Sequence, residues 1–565
     1  MSTQFDLVIR GGDIADGLGG ETYRADVAVR DGRIVEVGQV AGHGVEEIDA
    51  RGHLVTPGFV DIHTHYDAQA MWDNSLAPSS NHGVTTVVMG NCGVGFAPVR
   101  EGDREVLIEL MEGVEDIPGV ALHEGLDWQW ESFDDFLAAL ESRPRDIDCC
   151  AQLPHAALRL YVMGERAVRL EMATVEDMAR MRELAAAAMR AGAIGFSTSR
   201  SLNHKSVKGD PTPSLRAAEE ELIAIALGLK DAGSGVLQVI TDFLDVESEF
   251  ALLRRLVEVS GRPLSFSLAQ RHSAPDDWRR VLELTAEAVR DGLPMRAQIA
   301  PRGVGVLLGL KGSLNVFCEC PGYKEIAHLP LDERVARMRE PQLRERLLAE
   351  VDESRHALLG PKLHDYANLY RVGNPPNYNP GREAAVSAIA EREGREAKAM
   401  AYDLLLEDDG GNFLYMPMAN YAARDLECCA EMIADPNTVI GLGDGGAHVG
   451  LICDSSFPTF LLQHWGKNSG RFSLPWLVKR QTADTARAAG LLDRGIIAVG
   501  MKADLNVIAV DQLGLEVPHI QHDLPAGGKR LLQGASGYVA TIVSGVPVYR
   551  DGEPTGQYPG RLVRI

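Results

Sequence analysis

A chain of 565 residues is too long for one ordinary domain and implies two to four structural units, or one large barrel with additions. Lysine and arginine number 56 against 80 aspartates and glutamates, a net charge of −24, which argues against nucleic acid and against an anionic membrane surface as partners. No segment reaches the roughly 18 apolar residues of a membrane span, and the start MSTQFDLVIRGG has none of the features of a signal peptide.

The first 50 residues alternate apolar and polar side chains. FDLVIRGG, ADVAVRDG and RIVEVGQV each read as a short strand ending at Gly or Asp-Gly. From residue 57 the pattern changes to nearly continuous apolar runs separated by helical stretches. The runs lie at 58–65, 85–92, 148–155, 193–199, 236–241, 263–270, 294–302 and 438–444. Runs of this kind suit parallel strands buried on both faces. The clearest helix spans 174–191, opened by the Thr-x-x-Asp of Thr174 and stopped by Gly192. Others are expected at 215–232, 246–259, 275–291 and 419–434. Eight β-then-α units predict an α/β fold, a (β/α)8 TIM-like barrel. The stretch from about 303 to 418 is too long for one crossover. It carries charged helical segments at 332–356 and 383–408, and predicts an insertion near the barrel mouth at about 303–400. The last 70 residues return to short strands (ADLNVIAVD, YVATIVSG, VPVYRDGEP). Residues 1–56 and 491–565 therefore read as two parts of one small β-sandwich, with the barrel at 57–490 inserted between them. The eight cysteines are sparse for this length and include two adjacent pairs, as in reduced thiols of a cytoplasmic protein. Cys318-Glu319-Cys320 has no second cysteine pair at zinc-finger spacing.

Chemistry gathers at the ends of the runs, where barrels of this type place their active sites. His63 and His65 end the first. Residues two apart on a strand point the same way, so both imidazoles can face the barrel interior and hold a divalent metal such as zinc. Asp444 ends the eighth run, which neighbours the first in a closed barrel. Its carboxylate can join the metal and take a proton from metal-bound water, whose pKa falls from about 15.7 toward roughly 7. Cys92, in Gly90-Asn91-Cys92-Gly93 after the second run, is a candidate thiolate ligand. His155 after the third run and His448 beyond Asp444 are candidates for substrate binding. So are Arg200, Arg271 and Arg302, one of which could clamp a substrate carboxylate. His204 and Lys205, in the loop after the fourth run, are further candidates.

Five stretches, TPGFVDIHTHYDAQ (56–69), GVTTVVMGNCG (83–93), GAIGFSTSR (192–200), GLGDGGAH (441–448) and ARAAGLLDRGIIAVGMKADLNVI (486–508), resemble the amidohydrolase superfamily, and within it the D-aminoacylase (N-acyl-D-amino-acid deacylase) family. The resemblance runs over almost the whole chain and implies the same architecture. It also implies that His63, His65 and Asp444 form one metal position, and Cys92 part of a second. The family pattern expects a histidine at the end of the fifth and sixth strands. The fifth run here, Leu237 to Asp242, has none, and His272 falls beyond the sixth. The fourth run offers no lysine for carbamylation. One Zn2+ or other divalent ion is therefore expected rather than two. The implied function is metal-dependent hydrolysis of a C–N bond in a small N-acyl amino acid or related amide. N-acyl-D-amino acid deacylation comes first, with Asp444 as general base and acid. A hydrolase of cyclic amides or ureides on the same scaffold, and a non-catalytic ligand-binding member, are the alternatives. Oligomeric state stays open, a homo-oligomer included.

Overall fold

The apolar runs of the chain centre form eight strands: Phe59–Asp61, Val84–Met89, Asp148–Pro154, Gly195–Ser199, Val236–Ile240, Leu264–Ser267, Met295–Ile299 and Thr438–Ile440. Each pairs in parallel with the next. The computed structural model describes residues 4–351 and 359–565. The ring is completed between the first and eighth strands at their C-terminal ends. There Asp444 N donates to His63 O (3.0 Å) and His65 N to Gly445 O (2.7 Å). Most of these strand residues are buried, as strands sandwiched between a filled interior and an outer helical layer must be. The outer helices follow from amphipathic spacing and caps. Val175–Ala191 starts from a capping box between Thr174 and Asp177 and stops at left-handed Gly192. Met181, Ala185 and Met189 are buried on its inner side.

Both ends of the chain meet in one nine-stranded sheet. Leu54–Pro57 is its hinge, parallel to Gln4–Ile14 and antiparallel to Leu505–Ile508. Leu7, Ile9, Val27 and Val29 from the N-terminal part pack with Leu505, Val507 and Ile542 from the C-terminal part. A buried ionic cluster ties the C-terminal segment to the barrel. Arg494 Nη1 lies 2.6 Å from Asp148 Oδ2, and Lys502 Nζ lies 2.9 Å from Asp148 and 2.6 Å from Asp504. Charges this deep are tolerable only when paired.

Between the seventh and eighth strands lies a subdomain with its own core, in which Leu308, Phe317, Met338, Leu363 and Tyr402 are buried. Its three-stranded antiparallel sheet comprises Val304–Gly309, Phe413–Ala419 and Tyr370–Arg371. The helical segment expected at 332–356 is two helices, Leu331–Met338 and Pro341–Ala349, parted where Pro341 begins a new turn. Residues 352–356 of that segment lie outside the described residues. The segment at 383–408 is likewise divided, into Val386–Arg392 and Ala397–Leu405, at left-handed Gly394. The helix expected at 419–434 begins only at Glu427. Residues 413–419 are strand, and left-handed Asn420 and Arg424 break the chain between the two elements. The helix expected at 215–232 starts at Glu219. No helix among the described residues is long and apolar enough to cross a membrane.

Candidate metal centre

The strand alternation that puts His63 and His65 on one side brings both rings into the barrel, each about 1% exposed. His63, His65 and Cys92 have ligand atoms all within 4.8 Å of one another, the one such His/Cys/Asp/Glu group among the described residues. Cys92 Sγ is 3.3 Å from His63 Nε2. Asp444 Oδ1 lies 3.4 Å from His63 Nε2 and 3.7 Å from His65 Nε2. Two imidazoles, a thiol and a carboxylate so arranged make a donor set that fits a divalent ion such as zinc.

Partners one step further out orient these groups. His63 Nδ1–H donates to Gln298 Oε1 at 2.7 Å, which fixes the tautomer with the Nε2 lone pair turned to the centre. Gln298 is held in turn by Ser265 Oγ at 2.9 Å. His65 Nδ1 faces the buried carboxylate of Glu115 at 3.3 Å, and His448 Nε2 faces the other oxygen at 3.6 Å. Cys92 is fixed through its backbone, since its N donates to Gln238 Oε1 at 3.1 Å. Its φ of 56° is a left-handed conformation that a non-glycine residue adopts only when its surroundings impose it. The glycines on either side make room. A Cβ on Gly90 (φ +78°) would lie 2.5 Å from Gln152 O, and one on Gly93 2.9 Å from Ser199 N. Glu115, Gln238 and Gln298 went unnoticed in the sequence. Their signal is faint: a single glutamine inside each of two short parallel strands, and one glutamate on a helix face.

Burial and charge set the protonation of the centre. Burial pulls His63 down to about 4. It opposes charge on His65 as well, but there Glu115, Asp444 and Cys92 outweigh it and hold the imidazole well above its ordinary range. Burial also works against Asp444, yet a hydrogen bond from His65 and the charges of both histidines keep its carboxyl far below the usual range. Burial pushes the Cys92 thiol up to about 11, so ligation there would release its proton.

A cavity of about 360 Å³ opens beside the centre. Asp444, His204 and Arg271 are polar groups in its wall, and Phe243, Leu268 and Trp278 are apolar ones. Val304 and Ala419, from the inserted subdomain, complete the wall. A larger cavity, about 520 Å³, lies at the opposite end of the barrel among Arg296, Lys479 and Arg480, remote from these ligands. Small-molecule sites of barrels lie at the C-terminal ends of the strands, so the smaller cavity is the relevant one.

The remaining candidates are dispersed. His155 is sealed in the wall, its Nδ1 2.8 Å from Thr198 Oγ1 and its Nε2 2.9 Å from Glu221, which also holds Arg159. Arg302 is buried over the Tyr378 ring at 3.6 Å, with Asp454 at 3.3 Å. Arg200 is half-buried, with Nη1 on Ala217 O. None of these three lines the cavity. Arg271 does, paired with Asp277 at 2.6 Å. His448 stands beside Glu115 at the edge of the centre, with φ of 48°.

Known proteins share the sequence pattern and the fold of this chain. A D-aminoacylase of Alcaligenes xylosoxydans xylosoxydans is 27% identical over 574 residues, covering 100% of this chain and 98% of its own. A D-aminoacylase crystal structure is 24% identical with a TM-score of 0.67, covering 99% of this chain and 100% of its own. N-acyl-D-glutamate deacylase from Bordetella bronchiseptica, solved with zinc and a phosphonate that mimics the tetrahedral intermediate, is 21% identical with a TM-score of 0.65, each chain covered in full. The model of the amidohydrolase family matches residues 46–549, through the whole barrel and into the strands on both sides of it. The chain belongs to the amidohydrolase family.

Proposed function

We propose that the protein is a metal-dependent hydrolase that removes the acyl group from small N-acyl-D-amino acids. The observation that carries this reading is the grouping of His63, His65 and Cys92, with Asp444 Oδ1 within 3.7 Å of both imidazoles, beside the cavity that Asp444 lines. His63, His65 and Asp444, with Cys92 as fourth donor, would hold one divalent ion. When bound there, it supplies water activation and polarisation of the scissile carbonyl. The chain's own residues do the rest. Asp444, ionised by its histidine neighbours, accepts the proton of the attacking water on its carboxylate and delivers it to the departing nitrogen. The apolar wall of Phe243, Leu268 and Trp278 excludes bulk water and accepts an aliphatic group, and Arg271 offers a cation for a carboxylate at the rim. Full-length alignment with a D-aminoacylase supports the D-configured substrate class.

The test is a substrate panel on zinc-loaded protein: N-acetyl-D-amino acids, their L-enantiomers, and cyclic amides. Turnover of the D-series is expected, and Asp444→Asn should reduce it by about 10²–10⁴-fold or more with the fold intact. Turnover confined to the cyclic amides, or an Asp444→Asn variant as active as the wild type, would overturn the proposal.

A further inference from the structure

The loop after the fourth barrel strand carries Ser201-Leu202-Asn203-His204-Lys205, and it is pinned on both sides. On one side Asp242 accepts from Ser201 Oγ (2.7 Å) and Leu202 N (2.9 Å). On the other, the loop lies flush on the helix Arg104–Glu115, the same helix that brings Glu115 to His65. The approach is so close that a Cβ on Gly113 would come within 2.2 Å of the Ser206 backbone. His204 is therefore delivered to the cavity wall by fixed backbone, in the same wall as Asp444.

The ring has a defined tautomer. Its Nδ1 is 2.8 Å from the hydroxyl of buried Ser199. That hydroxyl oxygen already accepts from Ser201 N at 3.2 Å, and among the described residues His204 Nδ1 is the acceptor in reach of its proton. Ser199 thus donates to Nδ1, and the ring proton resides on Nε2. Nε2 has no hydrogen-bond partner among the described residues, yet it is not among the sealed, unpartnered atoms. It is left on the cavity side. Burial, with the nearby charges of His65 and His448, takes the imidazole down to about 3, so it stays neutral at ordinary pH.

We infer that His204 is a catalytic residue: its Nε2–H donates a hydrogen bond to the oxygen of the scissile carbonyl as that oxygen gains charge. This rests on the deacylase reading above. The division of labour is chemical. Asp444 carries the proton from water to nitrogen, and a fixed neutral donor is what the carbonyl oxygen needs on the other side. Since Ser199 sets the tautomer, His204 acts as a donor and not as a second base.

The experiment uses zinc-loaded wild type, His204→Ala, His204→Gln and Ser199→Ala, with N-acetyl-D-leucine as substrate and its methylphosphonyl analogue as a tetrahedral probe. Loss of one oxyanion donor lowers kcat by about 10²–10³-fold. His204→Ala should show that loss with KM and zinc content nearly unchanged, and the Kd of the phosphonyl probe should rise by a similar factor. His204→Gln, which keeps an N–H donor, should recover part of both. Ser199→Ala should show a smaller fall in kcat. An unchanged probe Kd in His204→Ala, an effect on KM alone, or loss of zinc from both His204 variants would overturn the inference. If the wild type hydrolyses nothing in the panel, the deacylase reading fails, and the ratio of probe Kd values still decides on His204. Absence of probe binding to the wild type counts against it.

Discussion

Replacing Gln298 by leucine removes one side chain and disturbs the centre without touching a ligand. Gln298 is 2% exposed and gives the His63 Nδ1–H its acceptor at 2.7 Å, while its own amide reaches Ser265. Leucine fills similar volume but leaves a buried N–H with no acceptor, at a cost of about 1–3 kcal/mol. His63 escapes that cost by rotating, or by moving the proton to Nε2, and either motion removes its lone pair from the centre. The penalty therefore falls on metal binding, and at about 1.4 kcal/mol per factor of ten it corresponds to roughly a 5–150-fold loss of zinc affinity. That range brackets the 10–100-fold typical of such supporting partners. The assay is competition for zinc against a chromophoric chelator, with the unfolding midpoint measured in parallel on metal-free protein. Gln298→Glu, which keeps an acceptor at the same place, should bind zinc within a few fold of the wild type. If Gln298→Leu binds zinc as tightly as the wild type, the reasoning that ties His63 to Gln298 is wrong.

Glu115→Gln should weaken zinc binding by about 10–100-fold in the same competition assay, because the carboxylate facing His65 Nδ1 and His448 Nε2 is lost. Unchanged affinity would remove Glu115 from the centre. Protein stripped with chelator should regain full turnover with one equivalent of zinc, since Gln238 stands on the fifth strand and Ser267 ends the sixth where a second position would draw on histidines. Two tight sites in a calorimetric titration would refute that. Gly90→Ala puts a Cβ 2.5 Å from Gln152 O at a φ of +78°, and should cost about 2 kcal/mol in the denaturant midpoint while lowering zinc occupancy. A neutral Gly90→Ala would mean that the Asn91-Cys92 turn relaxes freely.

The eight barrel strands were legible because strands covered on both faces cannot alternate, so their apolar runs stand out against amphipathic helices. The strands of the two chain ends were legible from their short lengths and from the Gly and Asp-Gly turns that end them, although Leu7, Val8 and Ile9 are buried in succession and do not alternate. What failed was punctuation. Residues 419–426 have helical composition, but Asn420 turns left-handed and its Oδ1 accepts from Gln270 N, a partner 150 residues away. The candidate site divides in the same manner. That His63 and His65 face the interior together was legible because their relation is local, two residues along one strand. That Asp444 comes near them was legible because ring closure sets the eighth strand beside the first. His155 and Arg302 have equally suggestive positions, yet helix packing brings Glu221 to one and an aromatic nest to the other, and neither partnership leaves a mark on spacing.

The same limit explains why the glutamines went unread, and they bear on how this barrel is built. Gln152 on the third strand, Gln238 on the fifth and Gln298 on the seventh each point a buried amide toward the centre, to Asn91 Oδ1, Cys92 N and His63 Nδ1 respectively. Alternate strands of a barrel contribute to shared interior layers, so side chains from strands three, five and seven can act together under a site borne by strands one, two and eight. An amide suits this place because it offers a donor and an acceptor without charge, and so satisfies buried partners with no ion to desolvate. A histidine at position 238 would add a ligand but withdraw the acceptor that holds Cys92 N, in a residue already at φ 56°. The ligand turn and the supporting amides are thus alternatives to a fuller metal cluster. A Gln238→His substitution should therefore loosen Cys92 before it gains a second ion.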